Sequence, residues 1–183
     1  MRGRIRHGLP GELFGRGIFT SLVLSLFLAL GGCGYYSFTG ATIPAHLNQI
    51  SIPLAEDNSA GPVTTLGDDL TRLLIERFVG QTRLSLQPDE EESDVVLTTR
   101  IDRYSNDPAA VSAQERAALN RVTIVVHARY FDRSRNEEIL QRTFSSFAEY
   151  DPATDGFEGE LAAARVALTN IADDIFTAAT SDW

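Results

Sequence analysis

Apolar positions recur along the chain with two periods, and each switch between them marks an element. Gln49-Ile50-Ser51-Ile52-Pro53-Leu54 alternates with period two, which puts Ile50, Ile52 and Leu54 on one face of a short strand that Pro53 ends or confines to an edge. The period then lengthens: Leu66, Leu70, Leu73, Leu74 and Phe78 fall at helical spacing. Thr65-Leu66-Gly67-Asp68 reads as a capping box before them, and Gly80 as a left-handed C-cap after them. Leu84 and Leu86 flank Ser85 in a brief strand, and because a helix intervenes, the two strands most simply run parallel as a β-α-β unit.

The second half is dominated by period two. Between Asp94 and Tyr104, Val95, Leu97 and Ile101 share one face, with Arg100 and Asp102 on the other. Arg121 to Asp132 is the clearest strand: Val122, Ile124, Val126, Ala128 and Tyr130 alternate against Thr123, Val125, His127, Arg129 and Phe131. Apolar residues on both faces predict an interior strand. After the turn Arg133-Ser134-Arg135-Asn136, Glu138 to Tyr150 continues as a strand whose alternation slips near Ser145-Ser146, predicting a bulge there. Leu161, Ala164, Leu168, Ile171 and Ile175 then describe a closing helix to about Ala179. The order β-α-β-β-β-β-α predicts an α/β (α+β) two-layer sandwich, a mixed sheet of four or five strands with two helices on one face.

Upstream of the strand pattern the chain reads differently. Arg2, Arg4, Arg6 and Arg16 precede the apolar run Ile18 to Leu30, about 13 residues long and so within the ~7–15 of a secretory leader, whereas a spanning helix needs roughly 20. Leu30-Gly31-Gly32-Cys33 follows, and Cys33 is the only cysteine. Small residues admit the backbone to a peptidase, and the thiol can be acylated before cleavage on its N-terminal side. The predicted organisation is therefore a lipoprotein signal peptide over 1–32, a lipid-anchored tether over 33–48 punctuated by Gly40 and Pro44, and one domain over 49–183. Multiple acyl chains would hold that domain stably to a membrane.

Charge narrows the partners. The chain carries 16 basic and 25 acidic residues, net −9, and every basic residue is arginine. Loss of residues 1–32 removes four arginines and one glutamate, which leaves −12. Nucleic acid, which demands a basic footprint, is excluded as a partner. Arg100, Arg103, Arg121 and Arg129 fall in one sheet region and could receive phosphates, although pairing with Asp102, Asp132 or nearby glutamates is the simpler outcome.

Catalytic chemistry has no candidate carrier. His46 and His127, the two histidines beyond the leader, lack metal-motif spacing, and phosphate-loop and nucleophile-elbow patterns are missing. The acidic run Asp89-Glu90-Glu91-Glu92 reads as a solvated turn, and nothing calls for a metal or other cofactor. Ser105 to Ala118 is more informative, because about 14 residues join two strands where hairpins use roughly 2–5. It is a candidate partner-contact loop, with Asn106, Val111 and Gln114 as contact positions; the competing reading is an insertion whose tip touches nothing.

Cys33-Gly34-Tyr35-Tyr36-Ser37-Phe38-Thr39-Gly40, then Ile43-Pro44 and Ile50-Ser51-Ile52-Pro53, resembles the start of the lipopolysaccharide-assembly lipoproteins, the LptE-like family. Leu66 to Phe78, the strand Arg121-Val122-Thr123-Ile124-Val125-Val126 and the closing helix near Trp183 are also similar. The resemblance implies a non-enzymatic outer-membrane lipoprotein on the periplasmic side, which docks into and plugs the translocon β-barrel (LptD-like) and assists its assembly. Some members also bind lipopolysaccharide; the acidity and lack of lysine depart from that, so no ligand residues carry over. Gly34 is not the aspartate that commonly retains lipoproteins in the inner membrane. The alternative is a curli-type lipoprotein of another envelope secretion complex, which would assemble as a homo-oligomer.

Overall fold

A computed structural model describes residues 43–109 and 119–181. The expected leader, Cys33 and the segment around Val111 and Gln114 lie outside the described residues. Eight elements follow in order: β1 (Gln49–Ser51), β2 (Glu56–Asp57), α1 (Leu66–Gln81), β3 (Ser85–Leu86), β4 (Val95–Pro108), β5 (Asn120–Asp132), β6 (Glu137–Tyr150) and α2 (Gly156–Ser181). They form the mixed two-layer fold that the periodicities predict.

The sheet runs β3-β1-β4-β5-β6, with β2 also paired to β4. β1 pairs parallel with both β3 and β4, as the intervening helix requires, while β4, β5 and β6 form an antiparallel meander. β5 is interior to the sheet, and its alternation decides which side faces the helices. Val122, Ile124, Val126, Ala128, Tyr130 and Asp132 are buried, and the residues between them are half-buried. The apolar members of this set meet Leu70, Leu74 and Phe78 of α1 and Ala164, Leu168, Ile171 and Ile175 of α2 in one core. Phe78 joins the layers, with its ring 5.7 Å from Tyr130 and 5.2 Å edge-on from Phe176.

Several boundaries differ from the sequence pattern for local reasons. β1 ends at Ser51, and past Pro53 the alternation lapses: Ile50 and Ile52 are buried, but Leu54, expected beside them, is 63% exposed. Glu56–Asp57, expected as turn, pairs with Arg100 and Ile101 as a two-residue strand, too short for any period to register. The capping box does not form. Thr65 directs its hydroxyl to Asp69, at 3.1 Å, and makes no side-chain cap. Gly80 lies inside α1, whose end is capped at Thr82 instead; the Thr82 hydroxyl donates to Phe78 O and accepts from Leu84 N.

The bulges fall at Asp102 and Ile139, where the registers of β4 with β5 and of β5 with β6 shift, and not at Ser145-Ser146. α2 begins at Gly156, five residues before the first apolar position that betrays it. Gly156 holds φ +55°, a left-handed entry that glycine tolerates without strain, and a side chain at Gly159 would press on the Tyr150 ring at 2.9 Å. Among the described residues no helix is long and apolar enough to cross a membrane.

Candidate partner and ligand surface

Both helices cover one face of the sheet, and among the described residues the other is open. On it, cross-strand neighbours share a side: Thr98 opposes Arg129, Arg100 opposes His127 and Arg103 opposes Val125. On the next ladder Arg121 opposes Glu149 and Thr123 opposes Phe147. Phe147 is 52% exposed, with the Arg121 guanidinium 4.3 Å from its ring centre; Arg129 stacks on Phe131 at 4.5 Å.

The four arginines singled out in the sequence are thus brought to one face, and three are paired within the chain. Arg121 meets Glu149 at 2.6 Å and Arg129 meets Glu138 at 2.9 Å, both across β5 and β6, while Arg100 meets Asp102 on its own strand at 2.6 Å. Arg103 makes no ion pair among the described residues. Exposed pairs of this kind contribute about 0–1 kcal/mol each, so an incoming ligand can compete for them.

One end of this face deepens into a cleft of about 380 Å³, lined by Pro53, Leu54, Glu56, Glu90, Thr98, Thr99, Arg100, His127 and Arg129. Sequence reasoning missed it. Its apolar wall exists only because Leu54 leaves the core face, and the signal available for that was Pro53. Arg100 and Arg129 both engage their own carboxylates through Nε, which leaves their terminal NH groups without acceptors among the described residues.

The loop reading is revised. β4 continues to Pro108 and β5 starts at Asn120, with Asp107 opposite Arg121 and Ala109 N donating to Leu119 O at 2.8 Å. Ser105 to Pro108 therefore belong to a strand. Asn106 sits half-buried and donates to the Tyr150 hydroxyl at 2.8 Å, beside Tyr104, which donates to Glu160 of α2 at 2.6 Å. Burial and that carboxylate both push the Tyr104 hydroxyl pKa up, so it stays a donor.

At the opposite end of the meander, the chain leading into β1 is clamped to the body. Leu47 is fully buried, and Arg83 donates to the carbonyls of Ile43 and Pro44 and to Asn48 Oδ1. Asp94 accepts the amides of Asn48 and Gln49, at 2.7 and 3.0 Å. His46 Nε2 lies 2.6 Å from Asp132, whose carboxylate also accepts from Ser134 Oγ and the Arg135 amide. Burial alone would raise the Asp132 pKa, but these three hydrogen bonds outweigh it and hold it below the ordinary value. Among the described residues no three His, Cys, Asp or Glu side chains are placed to hold a metal ion.

Comparison with known proteins adds the following. The family model LptE, described as lipopolysaccharide-assembly, matches residues 47–179. No curated protein matches significantly. Among solved structures, protein XCC0632 from Xanthomonas campestris is similar with TM-score 0.53 and 17% identity, over 74% of this chain and 88% of that one. The homologue of a neuraminyllactose-binding hemagglutinin from Helicobacter pylori gives 0.52 and 9%, over 78% and 91%. A minor lipoprotein from Acinetobacter baumannii gives 0.46 and 18%, over 71% and 90%. At such identities the first two structures speak for the fold alone.

Proposed function

The chain belongs to the lipopolysaccharide-assembly (LptE) family, and from that premise we propose that it is a lipid-anchored outer-membrane subunit that docks into a β-barrel translocon and assists its assembly. The observation that carries the proposal is the span of the family match, which runs from the clamped entry to β1 through nearly the whole of α2. The domain works by binding and not by catalysis. Cys33 becomes the acylated N-terminus, and the chain then reaches the body through the clamped segment at Ile43 to Asn48.

Geometry supports the docking half of this reading. The open face of β4, β5 and β6 is a lattice of arginine–carboxylate pairs, hydroxyls and two stacked aromatic rings, chemistry suited to the polar interior of a barrel. Val111 and Gln114 are the contact positions within the β4–β5 connection. Asn106 contributes from inside the strand, by fixing its end to Tyr150.

Affinity purification of the lipidated protein from solubilised outer membrane tests the reading. A large β-barrel protein should co-purify and persist at moderate salt, because a processed chain of net −12 does not hold a partner by bulk attraction to anionic groups. Recovery of the protein as a homo-oligomer with no barrel would refute it. Lipopolysaccharide added to the complex should contact the assembled pair, and not the isolated acidic domain alone.

A further inference from the structure

We propose that the cleft at Leu54, Arg100, His127 and Arg129 binds a peptide carboxylate: an acidic side chain with an apolar neighbour, in an extended segment of a partner protein. The proposal goes beyond the barrel-docking reading and does not depend on which protein supplies the segment.

Three features of the cleft select this ligand. The first is donor geometry. Thr98 opposes Arg129 and Arg100 opposes His127, two rungs apart and so on the same face, and two guanidinium groups, an imidazole and a hydroxyl share one patch. Each guanidinium is oriented through Nε, by Asp102 and by Glu138, with its terminal NH groups unengaged among the described residues. A planar fork held in this way is preorganised for an oxyanion, and a carboxylate matches it bidentately.

The second feature is shape and polarity. Pro53 and the 63%-exposed Leu54 form one wall, and an inorganic oxyanion would leave that apolar surface uncovered. A residue next to the carboxylate can cover it, and a volume near 380 Å³ is enough for one or two side chains. Charge is the third. Glu56 and Glu90 also line the cleft, in a chain whose net charge is −9, so repulsion grows with ligand charge and penalises a dianionic phosphate more than a monoanionic carboxylate. The phosphorylated head group of a glycolipid is therefore the less favoured occupant.

The test uses the detergent-solubilised full chain and a fluorescently labelled hexapeptide carrying Leu-Glu-Leu, with its Leu-Gln-Leu counterpart as control. Anisotropy should show the glutamate peptide binding roughly tenfold tighter than the glutamine peptide. Arg100→Gln combined with Arg129→Gln should abolish that preference. Leu54→Ser, at an exposed position, should weaken both peptides together and leave the thermal melt in place. Equal affinity for the two peptides, or no binding of either, would overturn the proposal. So would displacement of the glutamate peptide by inorganic phosphate or by lipopolysaccharide micelles at lower concentration than by unlabelled peptide, which would assign the cleft to a phosphorylated ligand instead.

Discussion

Asp132 concentrates more physical chemistry than any other residue described. It is buried, ionised and surrounded by donors: the His46 ring, the Ser134 hydroxyl and the Arg135 amide. Replacing it with alanine would leave those donors facing a space with no acceptor. A loss of about 2–3 kcal/mol follows from the usual worth of hydrogen bonds to a charged group, measured by denaturant unfolding. Its depressed pKa also gives a signed pH dependence. The carboxylate's contribution is fully present above the unfolded value of about 3.9 and is lost as pH falls through the lower folded value. Between pH 5 and pH 3 the native protein should lose more stability than Asp132→Asn; an identical loss in both would remove Asp132 from the account. This partnership was invisible in the sequence, since His46 and Asp132 are 86 positions apart and belong to no common pattern.

Among the elements, those long enough to show several turns or pleats were legible, and those built from two or three residues were not. β5 offers six buried alternations and α1 four buried apolar side chains at helical spacing, so pattern alone assigns both. β2 has two exposed residues, and its only evidence is the register with Arg100 and Ile101. The start of α2 was hidden because Phe157 is exposed and the helix is entered through a left-handed glycine, features that carry no amphipathic period. The packing of the two helices on one face gives a direct prediction. Leu70 and Leu168 are fully buried, so Leu70→Asp and Leu168→Asp each place an unpaired carboxylate in the core. Each should cost roughly 3 kcal/mol or more, or prevent folding. Denaturant midpoints close to that of the native protein for both variants would mean that the layers do not pack as described.

For the candidate site, legibility was divided between these two scales. The four arginines were legible as one sheet region, and the fold does bring them to one face, Arg103 only because the bulge at Asp102 reverses the side on which it would otherwise fall. Their pairing with Asp102 and nearby glutamates was anticipated, though Asp132 pairs with His46 instead; the cleft between them was not, because Leu54 and Glu56 reach that face only through the break at Pro53 and the register of β2. The contact loop was drawn too long, since Asn106 and Asp107 carry too little apolar alternation to reveal that β4 continues to Pro108.

For the whole molecule, the proposed function depends on where the acidic domain is held and what its open sheet face meets. Intact-mass analysis of the membrane fraction should find a lipidated protein that begins at Cys33; an unmodified thiol there would remove the anchor from the account. The hairpin of β4 and β5 then matters as a spacer. At about 3.3 Å per residue, the 14-residue β4 separates the clamped entry near Asp94 from the β4–β5 connection by roughly 45 Å. An anchor near one end and a barrel contact near the other are thus compatible within one domain. The most direct test of the central claim is photo-crosslinking from Val111 and Gln114 in cells. The account predicts a single major adduct with a large outer-membrane β-barrel protein, unaffected by moderate salt. Adducts formed only with other copies of this chain would contradict it, and would favour an oligomeric secretion component instead.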